Sequence, residues 1–312
     1  MGTALNILGG LAVFLYGLRV MSNGLQKLAG DRLRAILAAL TRNRFTGIVG
    51  GFLITGIIQS SSATTVLVVS FANAGLLSLV QAIGLVMGAN IGTTITGWLV
   101  SIFGFKVKIT AFALPVIGIG FPMSFLSSQK LRNLSEVLVG FGLLFLGLGF
   151  LKAGVPTIDA SNPADLAKLD FIRQFTDYGF GSTLIFVAIG TILTVVIQSS
   201  SATMAITLIL ADQGWIDFDL AAAMVLGENI GTTITANLAA IIANYHAKRA
   251  ARAHLIFNVL GTLWVLPVFY PFLDLVAGFV QDIEGSSPMT TALAIPIALS
   301  VFHTSFNVLN AV

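Results

Sequence analysis

The 312-residue chain contains no cysteine, and only 9% of its residues are charged. The absence of cysteine excludes disulfides, thiolate metal sites and thiol nucleophiles. Soluble domains carry about a quarter charged residues, whereas 56% of this chain is hydrophobic. No charged residue or histidine occurs from Phe45 to Phe105. A run of that length exceeds the roughly 20 residues of one membrane crossing, so the composition predicts an all-α integral membrane protein in the cell membrane.

The two ends of the chain are both apolar. No basic segment precedes "TALNILGGLAVFLYGLRVM" at 3–21, so we interpret this stretch as a first membrane helix and not as a cleaved signal peptide. The sequence stops within "FNVLNAV". We expect the native protein to continue beyond this point.

The sequence repeats itself. Residues 59–96 align without a gap to residues 198–235, and both segments begin with QSSSAT and end with NIGTTIT. A weaker similarity relates "GLAVFLYGL" at 10–18 to "GFGLLFLGL" at 140–148. The repeating unit is therefore long: a helix, the QSSS motif and then the GxNIGTT motif.

Loop charges predict that the two units have opposite orientations. Basic residues are concentrated in 19–44 and 248–252, which the positive-inside rule assigns to the cytoplasm. Most acidic residues lie in 153–182, 212–219 and 274–284, which we expect outside. This scheme places Lys106 and Lys108 on the external side of the membrane, where the positive-inside rule does not expect lysines.

Each QSSS segment is predicted to form a re-entrant helical hairpin. The arms 45–58 and 63–73 are too short to cross about 30 Å at 1.5 Å per residue. With such hairpins, 3–21 and 134–152 run in opposite directions, and two full crossings at about 79–103 and 109–126 lie between them. The GxNIGTT motif falls in the crossing after each hairpin, where Gly92 and Gly231 are expected to loosen the helix.

This organisation predicts three segments. The first inverted repeat is 1–126, and its amphipathic part, 22–44, is expected to lie along the inner membrane surface. The second inverted repeat is 134–272. Residues 273–312 are expected to form an external loop and a final transmembrane helix.

Two hydroxyl-rich hairpin tips in inverted units predict one shared ion site at the middle of the membrane. Each outgoing arm begins at a helix N-terminus, which favours an anion. Carbonyl, Ser, Thr and Gln oxygens suit a small cation. The sequence places no lysine or arginine in a predicted membrane core, and helix dipoles supply only about half a charge per helix end. We therefore expect cations to enter together with the anion.

The paired QSSSAT motifs, each followed by GxNIGTT, resemble those of the type II sodium/phosphate cotransporter family and its bacterial members. The resemblance covers nearly the whole chain. It implies sodium-coupled transport of inorganic phosphate by alternating access, with no enzymatic activity, no cofactor apart from the coupling ion and no nucleic-acid partner. A homodimer and an additional soluble C-terminal domain are compatible with it, and it leaves open whether phosphate is imported or exported.

The resemblance also implies which residues bind ions. Sodium is expected on Gln59, Ser61, Gln198, Ser200, Thr93 and Thr232. The complete set expected to hold phosphate or sodium is Gln59, Ser60, Ser61, Ser62, Thr64, Asn90, Thr93, Gln198, Ser199, Ser200, Ser201, Thr203, Asn229 and Thr232.

Three polar residues of the predicted helices have more than one interpretation each. Glu228 replaces Ala89 of the first unit, and it either takes part in ion coupling, lies near the membrane interface or pairs with a hydroxyl network. His254 and His303 belong to two HxxFN sequences, which favour structural hydrogen bonding over a proton relay.

Three other functions remain open. A channel could use oxygen-lined tips as a filter, and the substrate of a transporter could be sulfate or arsenate. An intramembrane hydrolase would need one activated serine with a histidine base. Duplicated serine triplets do not fit that requirement.

Overall fold

The computed structural model describes residues 2–30, 43–107, 109–158 and 161–312. All regular structure in these ranges is helical. Six segments of the described chain are long and apolar enough to cross a membrane, judged by length and composition. They are Ala4–Ala29, Leu79–Lys106, Gln129–Gly154, Phe180–Ile197, Tyr245–Glu284 and Ala292–Ala311. The all-α fold and the multi-pass membrane protein predicted from the sequence are thus confirmed.

The main helices are numbered along the chain. They are α1 (Gly2–Ala29), α2 (Arg44–Ile58), α3 (Ser61–Asn73), α4 (Leu79–Leu99), α5 (Ala113–Met123), α6 (Gln129–Gly154), α7 (Phe180–Ile197), α8 (Ser200–Asp212), α9 (Phe218–Gly231), α10 (Thr233–Ala239), α11 (Tyr245–Val265), α12 (Phe269–Glu284) and α13 (Ile295–Ala311). Two single-turn helices, Pro163–Leu166 and Asp170–Arg173, lie between α6 and α7.

Helices α1 and α6 pack against each other through glycines. A Cβ placed on Gly17 would lie 2.7 Å from the Leu143 carbonyl carbon and 2.8 Å from the Gly140 carbonyl oxygen. A Cβ on Gly140 would in turn lie 2.6 Å from the Met21 Cα. Glycine permits this close approach of two membrane helices. The reciprocal contact joins the two sequences that the weaker similarity had aligned.

The glycines of the second motif are packing residues. A Cβ on Gly92 would lie 2.6 Å from the Thr55 Cβ, and one on Gly231 would lie 2.7 Å from the Thr194 Cβ. These contacts bring the crossing helix of each unit against the incoming arm of its hairpin. The predicted loosening at Gly92 is therefore wrong, because α4 is regular through the motif and changes to a π-helix only over Val100–Lys106.

The second unit does contain an interruption within its motif. Helix α9 ends at Gly231, Thr232 forms a turn, and α10 begins at Thr233. The predicted broken helix thus occurs in one unit and not at the matching position of the other.

Three segment predictions need correction. The expected external loop at 274–284 belongs to α12, because Leu273, Val276, Ala277 and Val280 recur with helical spacing and are buried. The expected full crossing at 109–126 contains a short 3₁₀ turn and the 11-residue α5, which by itself is too short to cross. Residues 22–29 continue α1, so no surface helix begins at Ser22. The rest of the proposed surface segment, 31–42, lies outside the described residues.

Lys106, which did not fit the positive-inside rule, forms an ion pair with Glu284. Glu284 ends α12, within the acidic region expected outside. The pairing explains how this lysine is accommodated among acidic residues. Lys108 is not among the described residues.

Candidate functional site

The turn of each hairpin is made by a glutamine in the left-handed conformation. Gln59 (φ 54°) and Gln198 (φ 56°) are the non-glycine residues with positive φ in the described chain. Such a backbone costs about 1–2 kcal/mol for an L-residue. Strain of this kind is concentrated at functional sites, and here it occupies the same position in both repeats.

A serine caps the helix that follows each glutamine. The Ser60 hydroxyl accepts a hydrogen bond from the Ala63 amide (3.1 Å), and the Ser199 hydroxyl accepts one from the Ala202 amide (3.2 Å). The amides of the first two residues of each helix, Ser61 and Ser62 in α3 and Ser200 and Ser201 in α8, have no carbonyl partner within their helices. Each tip therefore presents free N–H groups and the positive end of a helix dipole.

Both tips line one cavity of about 270 Å³. The predicted residues that line it are Gln59, Ser60, Ser61, Ser62, Gln198, Ser199, Ser200 and Ser201. A fold that brings the two duplicated motifs to one cavity explains why the chain contains the motif twice.

The other predicted site residues do not line this cavity. The Thr64 hydroxyl donates to the Ser60 carbonyl (3.0 Å), and the Thr203 hydroxyl donates to the Ser199 carbonyl (3.2 Å). The Thr93 hydroxyl donates to the Ala89 carbonyl (3.1 Å), so it is bonded back to its own helix. The remaining members of this group are Asn90, Asn229 and Thr232.

Histidines from α11 and α13 contact the two motif asparagines. His254 Nε2 lies 3.1 Å from Asn90 Oδ1, and His303 Nε2 lies 3.2 Å from Asn229 Oδ1. All four residues are buried. The histidines of both HxxFN sequences are thus hydrogen-bonded, each to a different repeat, and the preference for a structural role over a proton relay stays a prediction.

The two repeats differ in how completely their polar groups are bonded. In the first, Thr55 donates to Thr64 (3.0 Å) and Asn90 donates to Asn258 (2.7 Å). At the matching positions of the second, the Thr194 hydroxyl and the Asn229 amide nitrogen are buried without a partner.

The glutamines at the two tips also differ in how completely they are bonded. Gln59 is buried, donates to the Gly56 carbonyl (2.5 Å) and accepts from the Thr96 hydroxyl (3.0 Å), whereas Gln198 is exposed. The glutamine of the second tip is thus the more exposed and the less bonded of the two.

Glu228 is 1% exposed and accepts a hydrogen bond from the Thr207 hydroxyl (2.9 Å). Its second oxygen, Oε2, has no partner. The aligned pair in the first repeat is Ala89 and Val68, both buried. Glu228 is thus bonded to a hydroxyl, its role in ion coupling stays a prediction, and no other described acidic group joins it in a metal-binding cluster.

Helix α1 supplies the part of the cavity that the sequence analysis missed. Arg19, Ser22, Asn23 and Gln26 line the cavity, together with Leu15 and Leu18. These polar residues recur at helical spacing on one face, a signal that was available in the sequence but had been assigned to a cytoplasmic loop. Arg19 belongs to the membrane-capable segment Ala4–Ala29, so a basic side chain lies at the cavity that the two tips share.

Three relatives illustrate what the chain resembles. It is 34% identical to the "Uncharacterized protein YqeW" of Bacillus subtilis (strain 168), over 87% of this chain and 83% of the relative. It is 30% identical to the "Putative inorganic phosphate export protein YjbB" of Salmonella typhimurium, over 88% of this chain and 48% of the relative. The rat "Sodium-dependent phosphate transport protein 2A" is 39% identical over 31% of this chain and 15% of its own length.

The chain thus spans about half the length of the YjbB relative. No solved structure matches it. The model of the Na+/Pi-cotransporter family matches residues 13–153 and 167–272, which include both hairpins and both GxNIGTT motifs. The chain belongs to the Na+/Pi-cotransporter family.

Proposed function

We propose that this chain transports inorganic phosphate across the membrane, coupled to sodium, by alternating access of one site between two hairpins. The observation that carries the proposal is the shared cavity, because both QSSS tips line it. Two helix N-termini and a set of hydroxyls converge there, which is the chemistry that binds an oxyanion in proteins. The names of the YjbB and transport protein 2A relatives support phosphate as the substrate.

The sodium part of the proposal rests on different support. Arg19 at the cavity weakens the argument that an anion requires accompanying cations. Two helix ends of about half a charge each and one guanidinium together approach the charge of a dianion. Sodium coupling is therefore supported by the family and by neutral oxygen ligands at the tips, such as Gln198 and Ser200.

Alternating access is supported by the repeat in the sequence and by the reciprocal packing of α1 on α6. The inverted orientation of the two units, 1–126 and 134–272, remains a prediction. Gln26 lines the cavity near the end of α1, and that end leads to the basic segment predicted to be cytoplasmic. We therefore propose that the cavity faces the cytoplasm in this conformation.

The test is uptake of radiolabelled phosphate into proteoliposomes, with and without a sodium gradient in each direction. Saturable, sodium-dependent uptake is expected, and Ser61→Ala and Ser200→Ala should lower it at least tenfold. Ser70→Ala is the matched control, because Ser70 is an exposed residue of α3 that bonds to the Val66 carbonyl outside the cavity. Transport that is equal with and without sodium would exclude the coupling.

The same vesicles address the two alternatives. An outward sodium gradient that drives loss of preloaded phosphate favours export, which the name of the YjbB relative suggests. A non-saturating phosphate conductance would favour a channel.

A further inference from the structure

Arg19 lies where α1 closes the third side of the cavity between the hairpin tips. Ser22, Asn23 and Gln26 follow it on the same face of the helix, and all four line the cavity. The tips contribute neutral groups, so the charge of the cavity wall comes from α1. Arg19 is accessible to solvent, as a residue must be if it meets a ligand from the aqueous phase.

The position of Arg19 is fixed from two directions. On one side, a Cβ at Gly24 would lie 2.7 Å from the Val137 amide nitrogen, so α1 is pressed against α6. On the other, the Ser22 hydroxyl donates to the carbonyl of Ile58, the last residue of α2. Gln26 donates to the Ser22 hydroxyl at 2.9 Å. These contacts hold the arginine face of α1 toward the first hairpin tip.

Arg19 also differs from the other basic residues in its charge environment. Among the described residues, no carboxylate lies within ion-pair distance of Arg19, whereas Lys27 pairs with Glu136 and Lys152 pairs with Asp212. No acidic residue of the described ranges lines the cavity either. A guanidinium that faces hydroxyls and helix N-termini, without a carboxylate, is available to an anionic ligand.

We propose that Arg19 binds the oxyanion directly, opposite the two serine tips. The inference rests on the proposed function, since it assigns a ligand to the same cavity. A guanidinium offers paired N–H donors whose spacing matches two oxygens of phosphate. The serine hydroxyls and free amides of the tips bind the remaining oxygens. Such a site selects tetrahedral oxyanions over a spherical halide.

Only one of the two repeats contributes a positively charged side chain to the cavity. Extending the alignment of 10–18 with 140–148 places Gly149 opposite Arg19 in α6. Lys152 of α6 is satisfied by Asp212 at 2.7 Å and lies over the Phe105 ring at 4.7 Å. The duplicated tips thus share a single guanidinium, which predicts one oxyanion per chain.

The absence of native cysteine allows a charge-switch experiment. Arg19→Cys introduces the single thiol of the chain, which can be modified with a cationic (trimethylammonium) or an anionic (sulfonate) methanethiosulfonate reagent. Phosphate binding is measured by the thermal stabilisation that added phosphate gives the purified protein, and transport is measured in proteoliposomes. Arg249→Cys is the control, because Arg249 stacks over Tyr245 at 5.3 Å away from the cavity.

We expect Arg19→Cys to weaken phosphate binding about tenfold, which corresponds to about 1.4 kcal/mol. The cationic reagent should restore part of this loss and the anionic reagent should deepen it, and phosphate should slow both reactions. Arg19→Lys should be intermediate, since it keeps the charge but loses the paired donors. Arg249→Cys should bind phosphate as the unchanged protein does with either reagent.

Equal phosphate binding by the unchanged protein and Arg19→Gln would overturn the role of Arg19. So would identical effects of the two reagents, because a structural role does not depend on the sign of the added charge. A protein that binds phosphate through Arg19 but does not transport it would contradict the proposed function alone. A protein that no phosphate concentration stabilises would contradict both.

Discussion

Thr207 donates a 2.9 Å hydrogen bond to Glu228, and this pair stands where the first repeat has Val68 and Ala89. The second repeat therefore has a hydrogen-bonded hydroxyl and carboxyl where the first repeat has two apolar side chains. The second oxygen of Glu228 has no partner, and the residue is only 1% exposed. A buried carboxyl with a free oxygen is costly for folding alone, which favours a role in transport.

The first prediction concerns this pair. Glu228→Gln keeps the acceptor for Thr207 and removes the carboxyl, so we expect a melting temperature within a few degrees of the unchanged protein and a large loss of sodium-dependent phosphate uptake. Thr207→Val should lower uptake less, because the carboxyl remains. Uptake by Glu228→Gln at the unchanged rate would exclude a coupling role. Thermal unfolding of the same preparations provides the control for folding.

The second prediction concerns the strained glutamines. Glycine adopts a positive φ without the steric cost of a side chain, so Gln198→Gly should be more stable than Gln198→Ala by about 1 kcal/mol. The same order is expected for Gln59→Gly and Gln59→Ala, although both variants lose the bonds to Gly56 and Thr96. Thermal unfolding ranks the four variants.

Gln213 is the matched control for this comparison. It also follows a hairpin arm but has an ordinary φ of −86°. There glycine should give no advantage over alanine. An equal glycine advantage at Gln213 and Gln198 would show that the effect does not come from left-handed backbone.

The third prediction concerns the contact of α1 with α6. Gly17→Ala places a methyl group 2.7 Å from the Leu143 carbonyl carbon, where backbone and not a flexible side chain must move. We expect a loss of at least 2 kcal/mol of stability, of the order of an overpacked core, or failure to fold. Gly9→Ala is the control on the same helix, because nothing lies within 4 Å of its Cβ position. Fluorescence-detected size-exclusion chromatography after heating separates the two.

The fourth prediction concerns the end of the second hairpin. Lys152 of α6 pairs with Asp212 at the end of α8, and the Ile158 amide donates to the Gln213 carbonyl at 2.8 Å. These bonds hold α8 against the chain after α6, in a region predicted to be external. If they must break during transport, Lys152→Glu and Asp212→Lys should each change the uptake rate.

The double exchange of Lys152 and Asp212 should restore the rate of the unchanged protein, because it recreates the pair with reversed charges. The ion pair is partly exposed, so it contributes only about 0–1 kcal/mol to stability and both single variants should fold. Additive effects in the double variant would show that the two residues act independently.

Local sequence was sufficient to predict the hairpins. The QSSS tips could be found because the motif occurs twice and because short arms flank polar residues in an apolar region. The serine caps follow from local chemistry, whereas the left-handed backbone at each glutamine is strained and does not. The position of these tips at one cavity also followed from the repeat, since duplicated polar motifs at membrane depth need a shared polar space.

Other features depended on contacts that a linear sequence does not contain. The glycines of GxNIGTT resembled helix-loosening residues, but their neighbours across the helix crossing make them packing residues in α4. The acidic residues near Asp282 resembled a loop, whereas the apolar spacing of 273–280 forms a helix. Arg19 was counted with the basic loop that follows it, because charge alone indicates a side of the membrane and not a face of a helix.

The sequence by itself determined that this chain crosses a membrane, that it is built from a repeat, and that a serine caps the outgoing helix of each hairpin. These properties arise from composition and from neighbours along the chain. Only the tertiary structure decided that Arg19 lines the cavity of the two tips, that each histidine contacts one repeat, and that the second repeat leaves buried polar groups unbonded. Each of these depends on which helix faces meet, and that is decided by close packing between residues far apart in the sequence.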